Sequence, residues 1–274
     1  VTGARGSVDA GDGTDTIIMT TAQADAVDAS SVFNASFKGF ETLRISDAHT
    51  TTVDLDGVNA ASKVILRAGT HGGTLTNLVS GGTVDIVGQN AGNLTVNVKG
   101  ALVGASDTLN VNLQHTDAIA NARTLTAANV ETVNIGVADA AVAPALGSAA
   151  VIHTLTLAAT EATTVTVAGN NGLTLTNTGN TKITNFDASG VVGNSTAATP
   201  GVAETIDTAA NLAVTFASAN PTASAVVTIT GGAGNDTLSG NASRDTINGG
   251  AGVDRITGGA GQDTSVSYTH LRAH

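Results

Sequence analysis

From about Thr50 to Val227 the chain alternates. Short runs such as TVDL, KVILRAG, GTLTNL, GTVDIVG, NLTVNVKG, TLNVNL, ETVNIG, TLTL, TTVTVAG, GLTLTNTG and TKITNF set Val, Leu or Ile against Thr, Asn or Asp in a two-residue rhythm. That rhythm turns one side of an extended segment toward a core and the other toward water, so each run predicts a half-buried strand. Gly and Asn stand between the runs and mark turns. Successive runs begin roughly every 8 to 11 residues, which fits a sandwich, a barrel or a solenoid. Only TAQADAVDASSVFNASF (Thr21 to Phe37) has a helical look, and it predicts one or two short helices with Thr21 as cap.

The end of the chain breaks the tie in favour of a solenoid. GGAGNDTLS from 231, GNASRDTIN from 240, GGAGVDRIT from 249 and GGAGQDTSV from 258 follow one another at steps of nine. Asp236, Asp245, Asp254 and Asp263 recur in register, as do Leu238, Ile247 and Ile256, with Ser265 at the fourth aliphatic position. The pattern is the G-G-x-G-x-D-x-U-x repeat of calcium-binding RTX β-helices. Two nonapeptides close one coil, so aspartates eighteen residues apart in sequence stand one strand spacing apart in space. That spacing is about 4.8 Å, close to twice a calcium–oxygen bond of about 2.4 Å. Asp236 with Asp254 flank one column of ions, and Asp245 with Asp263 the other. Calcium takes about six to eight oxygens, so backbone carbonyls complete the shell. Gly231, Gly232, Gly234, Gly249, Gly250, Gly252, Gly258, Gly259 and Gly261 are expected to adopt positive φ and aim those carbonyls at the ion. In the second repeat Asn241 replaces a glycine, tolerably because Asn accepts positive φ, but Ser243 replaces another, which weakens the case for Asp245. Near the start, AGDGTDTII (Ala10 to Ile18) fits the same template and makes Asp15 either a calcium ligand or part of a plain Asp-Gly turn.

Composition sharpens this picture. The 274 residues are 41% hydrophobic but only 2% aromatic, with no Cys and no Trp. Such a core is thin, and disulfides or thiolate zinc cannot brace it. A net charge of −11 points to cations as partners and away from nucleic acid or an anionic membrane surface. No apolar run is long enough to span a membrane, no signal peptide opens the chain, and the missing initiator Met reads as a fragment. Val266 to His274 (VSYTHLRAH) is the translation of a transposon adapter used in sequencing libraries, so residues 265–274 are set aside and the natural reading is expected to stop near Thr264. The expected organisation is all-β, a parallel β-solenoid or β-roll: a partial repeat at 1–19, a helical connector at 20–49, a solenoid at 50–230 and RTX repeats at 231–264.

The order of GDGTD, GFETLRI (Gly39 to Ile45), VETVNI (Val130 to Ile135), LTNTGNTKITNFDASG (Leu175 to Gly190) and VVTITGGAGNDTLSG (Val226 to Gly240) resembles the C-terminal region of alphaproteobacterial surface-layer proteins with RTX repeats. The resemblance implies a secreted β-solenoid that self-associates, with calcium, into a lattice on the bacterial cell surface. It implies export by a type I secretion apparatus, and an anchor to lipopolysaccharide that lies outside this fragment. By position it also implies calcium on Asp236, Asp254 and Asp263, with Asp245 beside them, plus carbonyls of the neighbouring glycines.

Nothing singles out catalysis. There is no HExxH, G-x-S-x-G, P-loop or cysteine nucleophile, and no carboxylate pair stands out for glycoside chemistry. His49, His71, His115 and His153 have no metal spacing and are expected at the surface. Glu41 and Glu131 read as solvated turn residues ahead of extra ligands or corner salt bridges. Asp54 and Asp56 are expected on an exposed strand face, and Asp187 in an Asx-turn. Three functions stay open: a lattice subunit, a repeat module of a large RTX adhesin, and an accessory domain of a secreted enzyme.

Overall fold

The computed structural model describes residues 6–27, 31–102, 106–114, 122–138, 150–193 and 208–268. They form a parallel β-roll, two long sheets wound from one chain. The longer sheet has 11 strands, from Thr16–Met19 through Thr42–Ile45, Lys63–Gly69, Thr83–Asn90, Thr108–Gln114, Thr132–Ala138, Thr164–Gly169, Asn185–Val191, Thr228–Thr230 and Thr246–Ala251 to Thr264–Tyr268. The shorter has 9, Thr52–Asp54, Thr74–Leu78, Leu94–Val98, Ala122–Thr126, Ile152–Ala158, Gly172–Asn177, Val214–Ala217, Thr237–Ser239 and Arg255–Thr257. From Thr42–Ile45 onward strands enter the two sheets alternately, so each of those coils gives one rung to each, whereas the coil before it carries helices and Phe37–Lys38, which pairs with Val8–Asp9 in a separate two-stranded sheet. The long sheet runs unbroken across 19/20, 49/50 and 230/231, the boundaries expected between segments.

Alternation does what the sequence implies. Thr108–Gln114 buries Leu109, Val111 and Leu113 and turns its polar residues outward. In-register pairing stacks inward residues into columns, for example Leu109 on Val133 and Val133 on Val165, then Val165 on Phe186, Phe186 on Ile229 and Ile229 on Ile247. Phe186 and Phe216, one from each sheet, stack with ring centroids 4.0 Å apart. Ser265 takes the place of the next aliphatic above Ile247 and is exposed.

Several expectations change. The helices are Thr21–Val27 and Ser31–Ser36, but the cap is Thr20. Thr20 Oγ1 accepts from Gln23 N at 3.2 Å while Gln23 Oε1 accepts from Thr20 N at 2.9 Å, a capping box. In TKITNF the strand begins only at Asn185, after a turn at Thr181 and Lys182. Asp54 ends its strand and caps the 3-10 turn Leu55–Gly57, and Asp56 pairs with Lys99 at 2.6 Å, so the two do not share an exposed strand face. Asp187 does make an Asx-turn, accepting from Ser189 N at 2.9 Å. His49, His71 and His153 are buried, not superficial. His153 takes an inward position beside Leu173 and meets the buried Asn171 at 3.0 Å, which lets a polar ring sit among aliphatics. His115 lies outside the described residues. Among the described residues no helix is long and apolar enough to cross a membrane.

Candidate metal centre

Each nonapeptide is a glycine-rich turn followed by a very short strand. Asp236 and Asp254 stand just before the short-sheet strands Thr237–Ser239 and Arg255–Thr257. Asp245 and Asp263 stand just before the long-sheet strands at Thr246 and Thr264. The aliphatic two places on points into the roll, where Leu238 and Ile247 are buried and Ile256 is half-buried. One coil takes 18 residues, so Asp236 and Asp254 lie on neighbouring rungs of one flank and Asp245 and Asp263 on neighbouring rungs of the other, as the nine-residue repeat requires.

The carboxylates tie the rungs together. Asp254 Oδ1 accepts from Asp236 N at 3.1 Å and Asp263 Oδ1 from Asp245 N at 3.0 Å. One rung earlier, Asp236 Oδ1 accepts from Val214 N at 2.7 Å and Asp245 Oδ1 from Val227 N at 2.9 Å. The other oxygen bends back into its own turn, with Asp236 Oδ2 on Gly232 N at 2.7 Å and Asp245 Oδ2 on Asn241 N at 2.6 Å.

This geometry corrects the expected role of the glycines. Gly231, Gly249 and Gly258 are needed for space, because a Cβ at any of them would run into Oδ2 of the aspartate five residues on. Gly240 is under the same constraint with Asp245. Positive φ is confined to Gly250 (84°) and Gly252 (115°) and their counterparts Gly259 (103°) and Gly261 (115°), whereas Gly231, Gly232, Gly234, Gly249 and Gly258 do not adopt it. A Cβ on Gly250 or Gly252 would meet the carbonyl of Gly232 or Gly234 one rung below. On the other flank Gly259 and Gly261 face the carbonyls of Asn241 and Ser243 in the same way. The carbonyls therefore point along the stack.

The second repeat replaces its missing glycines with side-chain bonds. Asn241 Oδ1 accepts from Ser243 N at 2.7 Å, and Ser243 Oγ lies 2.6 Å from the carbonyl of Ala225 and 2.9 Å from Asp245 Oδ1. Neither residue adopts the positive φ that Asn241 was expected to tolerate.

Two of these carboxylates are sealed from solvent. Asp236 and Asp245 are each only 1% exposed. Burial raises the Asp236 pKa to about 6; the Val214 and Gly232 amides pull it back down and the Asp254 charge adds to the rise. Among the described residues no group of three or more His, Cys, Asp or Glu side chains converges. Any ion here has two carboxylates and must complete its shell with backbone carbonyls. An all-oxygen, glycine-lined cradle too tight for a Cβ fits calcium and would be a poor host for a softer metal.

Asp15 occupies the same junction, before Thr16–Met19, and Gly11 and Gly13 adopt φ of 84° and 134° as the template demands. It joins none of the nonapeptide aspartates. Its neighbour one rung on is Glu41, whose Oε2 accepts from Asp15 N at 2.9 Å.

Residues 230–264 match the family model of the RTX calcium-binding nonapeptide repeat, in four copies. No curated protein matches the chain. RTX nonapeptide repeats bind calcium, and calcium is the ion of this segment. Proteins with such repeats are typically secreted by type I secretion, and the RTX β-roll is typically non-catalytic.

Proposed function

We propose that the chain is a calcium-stabilised structural segment of a secreted bacterial surface-layer protein, which self-assembles into a lattice. Calcium is held between stacked rungs by Asp236 with Asp254 and by Asp245 with Asp263, completed by carbonyls of the glycine turns. Its chemistry is that of a hard dication which neutralises buried carboxylates and cross-links rungs. The chain's own part is to hold those carboxylates by amide hydrogen bonds and to keep side chains out of the turns. The observation that carries the reading is continuity: the repeats belong to the same two sheets as the strands before them, so ion binding bears on one extended scaffold. The resemblance of the intervening motifs supports the lattice, with lipopolysaccharide contact made outside this fragment and export by a type I apparatus.

Titrating calcium into the purified chain while following circular dichroism and particle size tests both parts. Gain of β signal together with growth into ordered sheets is the expected result. Folding without sheets would remove the lattice and leave a module of an adhesin or secreted enzyme, and no response in either signal would defeat the calcium scaffold itself.

A further inference from the structure

The residues just before the long-sheet strands form one ladder, in which each carbonyl accepts from the first amide of the next rung except that of Gly82, which accepts from Asn110 N. Thr42 N donates to Asp15 O, Thr132 N to Asp107 O and Thr264 N to Asp245 O, all at 2.8 to 3.0 Å. On this ladder Asp15 and Glu41 are neighbours, as are Asp107 and Glu131, in the places that Asp245 and Asp263 hold among the nonapeptides. The internal bond is the same in all three pairs. Glu41 Oε2 accepts from Asp15 N at 2.9 Å and Glu131 Oε2 from Asp107 N at 2.9 Å, as Asp263 Oδ1 does from Asp245 N.

A second observation points to a missing partner. Asp107 Oδ2, Glu131 Oε1 and Asp15 Oδ2 are shut off from solvent and have no hydrogen-bond donor. Lys63, Lys99 and Lys182 pair with Asp85, Asp56 and Glu161, and among the described residues no cationic side chain pairs with these four acids. Ionised oxygens sealed from water without a donor or counter-charge are strongly disfavoured. Asp107 Oδ2 and Glu131 Oε1 belong to adjacent rungs, whose backbones lie about 4.8 Å apart, and one dication between the rungs satisfies both.

We infer that Asp107 with Glu131, and Asp15 with Glu41, each hold a calcium ion outside the nonapeptide repeats. The inference rests on the reading that Asp245 and Asp263 share such an ion. Glutamate suits these coils because its longer arm caps the amide below with one oxygen and leaves the other for the metal. The paired acids are 24 and 26 residues apart, so a nine-residue pattern does not reveal them. They correct the picture of Glu131 as a solvated turn residue.

Calcium bound per chain is measured by equilibrium dialysis and elemental analysis on the full 274-residue chain, its Glu131→Gln, Glu41→Gln/Glu131→Gln and Asp254→Asn variants. The expected loss is one ion for Glu131→Gln and two for the double variant. Melting supplies a second readout: Glu131→Gln lowers Tm in excess calcium and raises it in EDTA, because the amide keeps the bond to Asp107 N and removes an unbalanced charge. Equal lowering in both buffers would make Glu131 a backbone cap and overturn the inference. Unchanged stoichiometry in Glu131→Gln with a loss in Asp254→Asn overturns it alone, and no loss in either overturns the nonapeptide reading as well. If Glu131→Gln does not fold, Asp107→Asn, which leaves the glutamate cap intact, takes the same measurements.

Discussion

Acid weakens the N-terminal half of the roll through His49. Its ring is fully buried against Gly73, and neither ring nitrogen has a hydrogen bond of normal geometry. Burial lowers its pKa from 6.5 to about 4; the neighbouring His71 adds to the fall, while the backbone of Thr74 and the carboxylate of Asp47 act against it. The folded state therefore prefers the neutral ring. Above pH 6.5 both states are neutral and nothing is gained or lost, whereas below it the unfolded chain takes up the proton first and stability falls until about pH 4. At about 1.4 kcal/mol per pH unit, the cost is about 2 kcal/mol at pH 5.0 and about 3 kcal/mol once both states are protonated. His71 is shifted the same way, by its own burial, and adds to the effect. Urea unfolding in saturating calcium at pH 7.5 and 5.0, for the wild type and His49→Leu, isolates the contribution. Calcium affinity also weakens in acid, but in both chains alike, so it cancels in the difference. The stability gap between the chains is expected to move by about 2 kcal/mol in favour of His49→Leu at the lower pH. A gap that stays the same, or moves the other way, would refute the assignment.

Three other outcomes follow from the geometry. Removing calcium with EDTA is expected to strip hydrogen-exchange protection from amides after Thr228 while strands between Lys63 and Val98 keep theirs, since the latter carry fuller cores and none of the ion sites inferred above. Gly249→Ala drives a Cβ into Asp254 Oδ2 and is expected to cost about 2–3 kcal/mol of unfolding free energy in calcium; Gly179→Ala, at φ 73° with open space around it, serves as the control and costs about 1 kcal/mol from backbone strain alone. Lys63→Met removes the 2.7 Å ion pair to buried Asp85 and is expected to destabilise by about 2 kcal/mol in denaturant, less than for a wholly unpaired charge because Asn112 Nδ2 still donates to Asp85 Oδ1 at 2.7 Å.

What could be read from sequence was whatever repeats at short period. Leu109, Val111 and Leu113 announce their strand by alternation alone, and the glycines and aspartates of 231–263 announce their turns by spacing. Three kinds of feature escaped. VTFA at Val214–Ala217 is too short an alternation to stand out, yet pairing with Leu173 and Leu238 on either side makes it a strand. The buried histidines escaped because polarity alone suggests the surface, whereas the ladder assigns His153 the same face as its neighbour Leu173. Gly240 and the acid pairs escaped because their partners lie one coil away, and coil length varies from 18 residues among the nonapeptides to 43 between Asn185 and Thr228. Contacts at a variable separation leave no period to find.

The varying coil also explains where the ions belong. A strand such as Thr108–Gln114 sends three aliphatic side chains into the core, whereas Thr237–Ser239 sends one. Burying a Val, Leu or Ile contributes about 1.5–3 kcal/mol, so an 18-residue coil forgoes several such contributions while still having to order a backbone rich in glycine, the residue that loses most entropy on folding. A site held at a thousandfold excess of free calcium over its dissociation constant returns about 4 kcal/mol, and the same ion relieves the buried charge of Asp236. Metal and core are then alternative ways of stabilising a rung. The glycine that makes room for the ion is also the residue that leaves the rung unable to stand without it, and a chain folded in this manner stays loose until it reaches calcium.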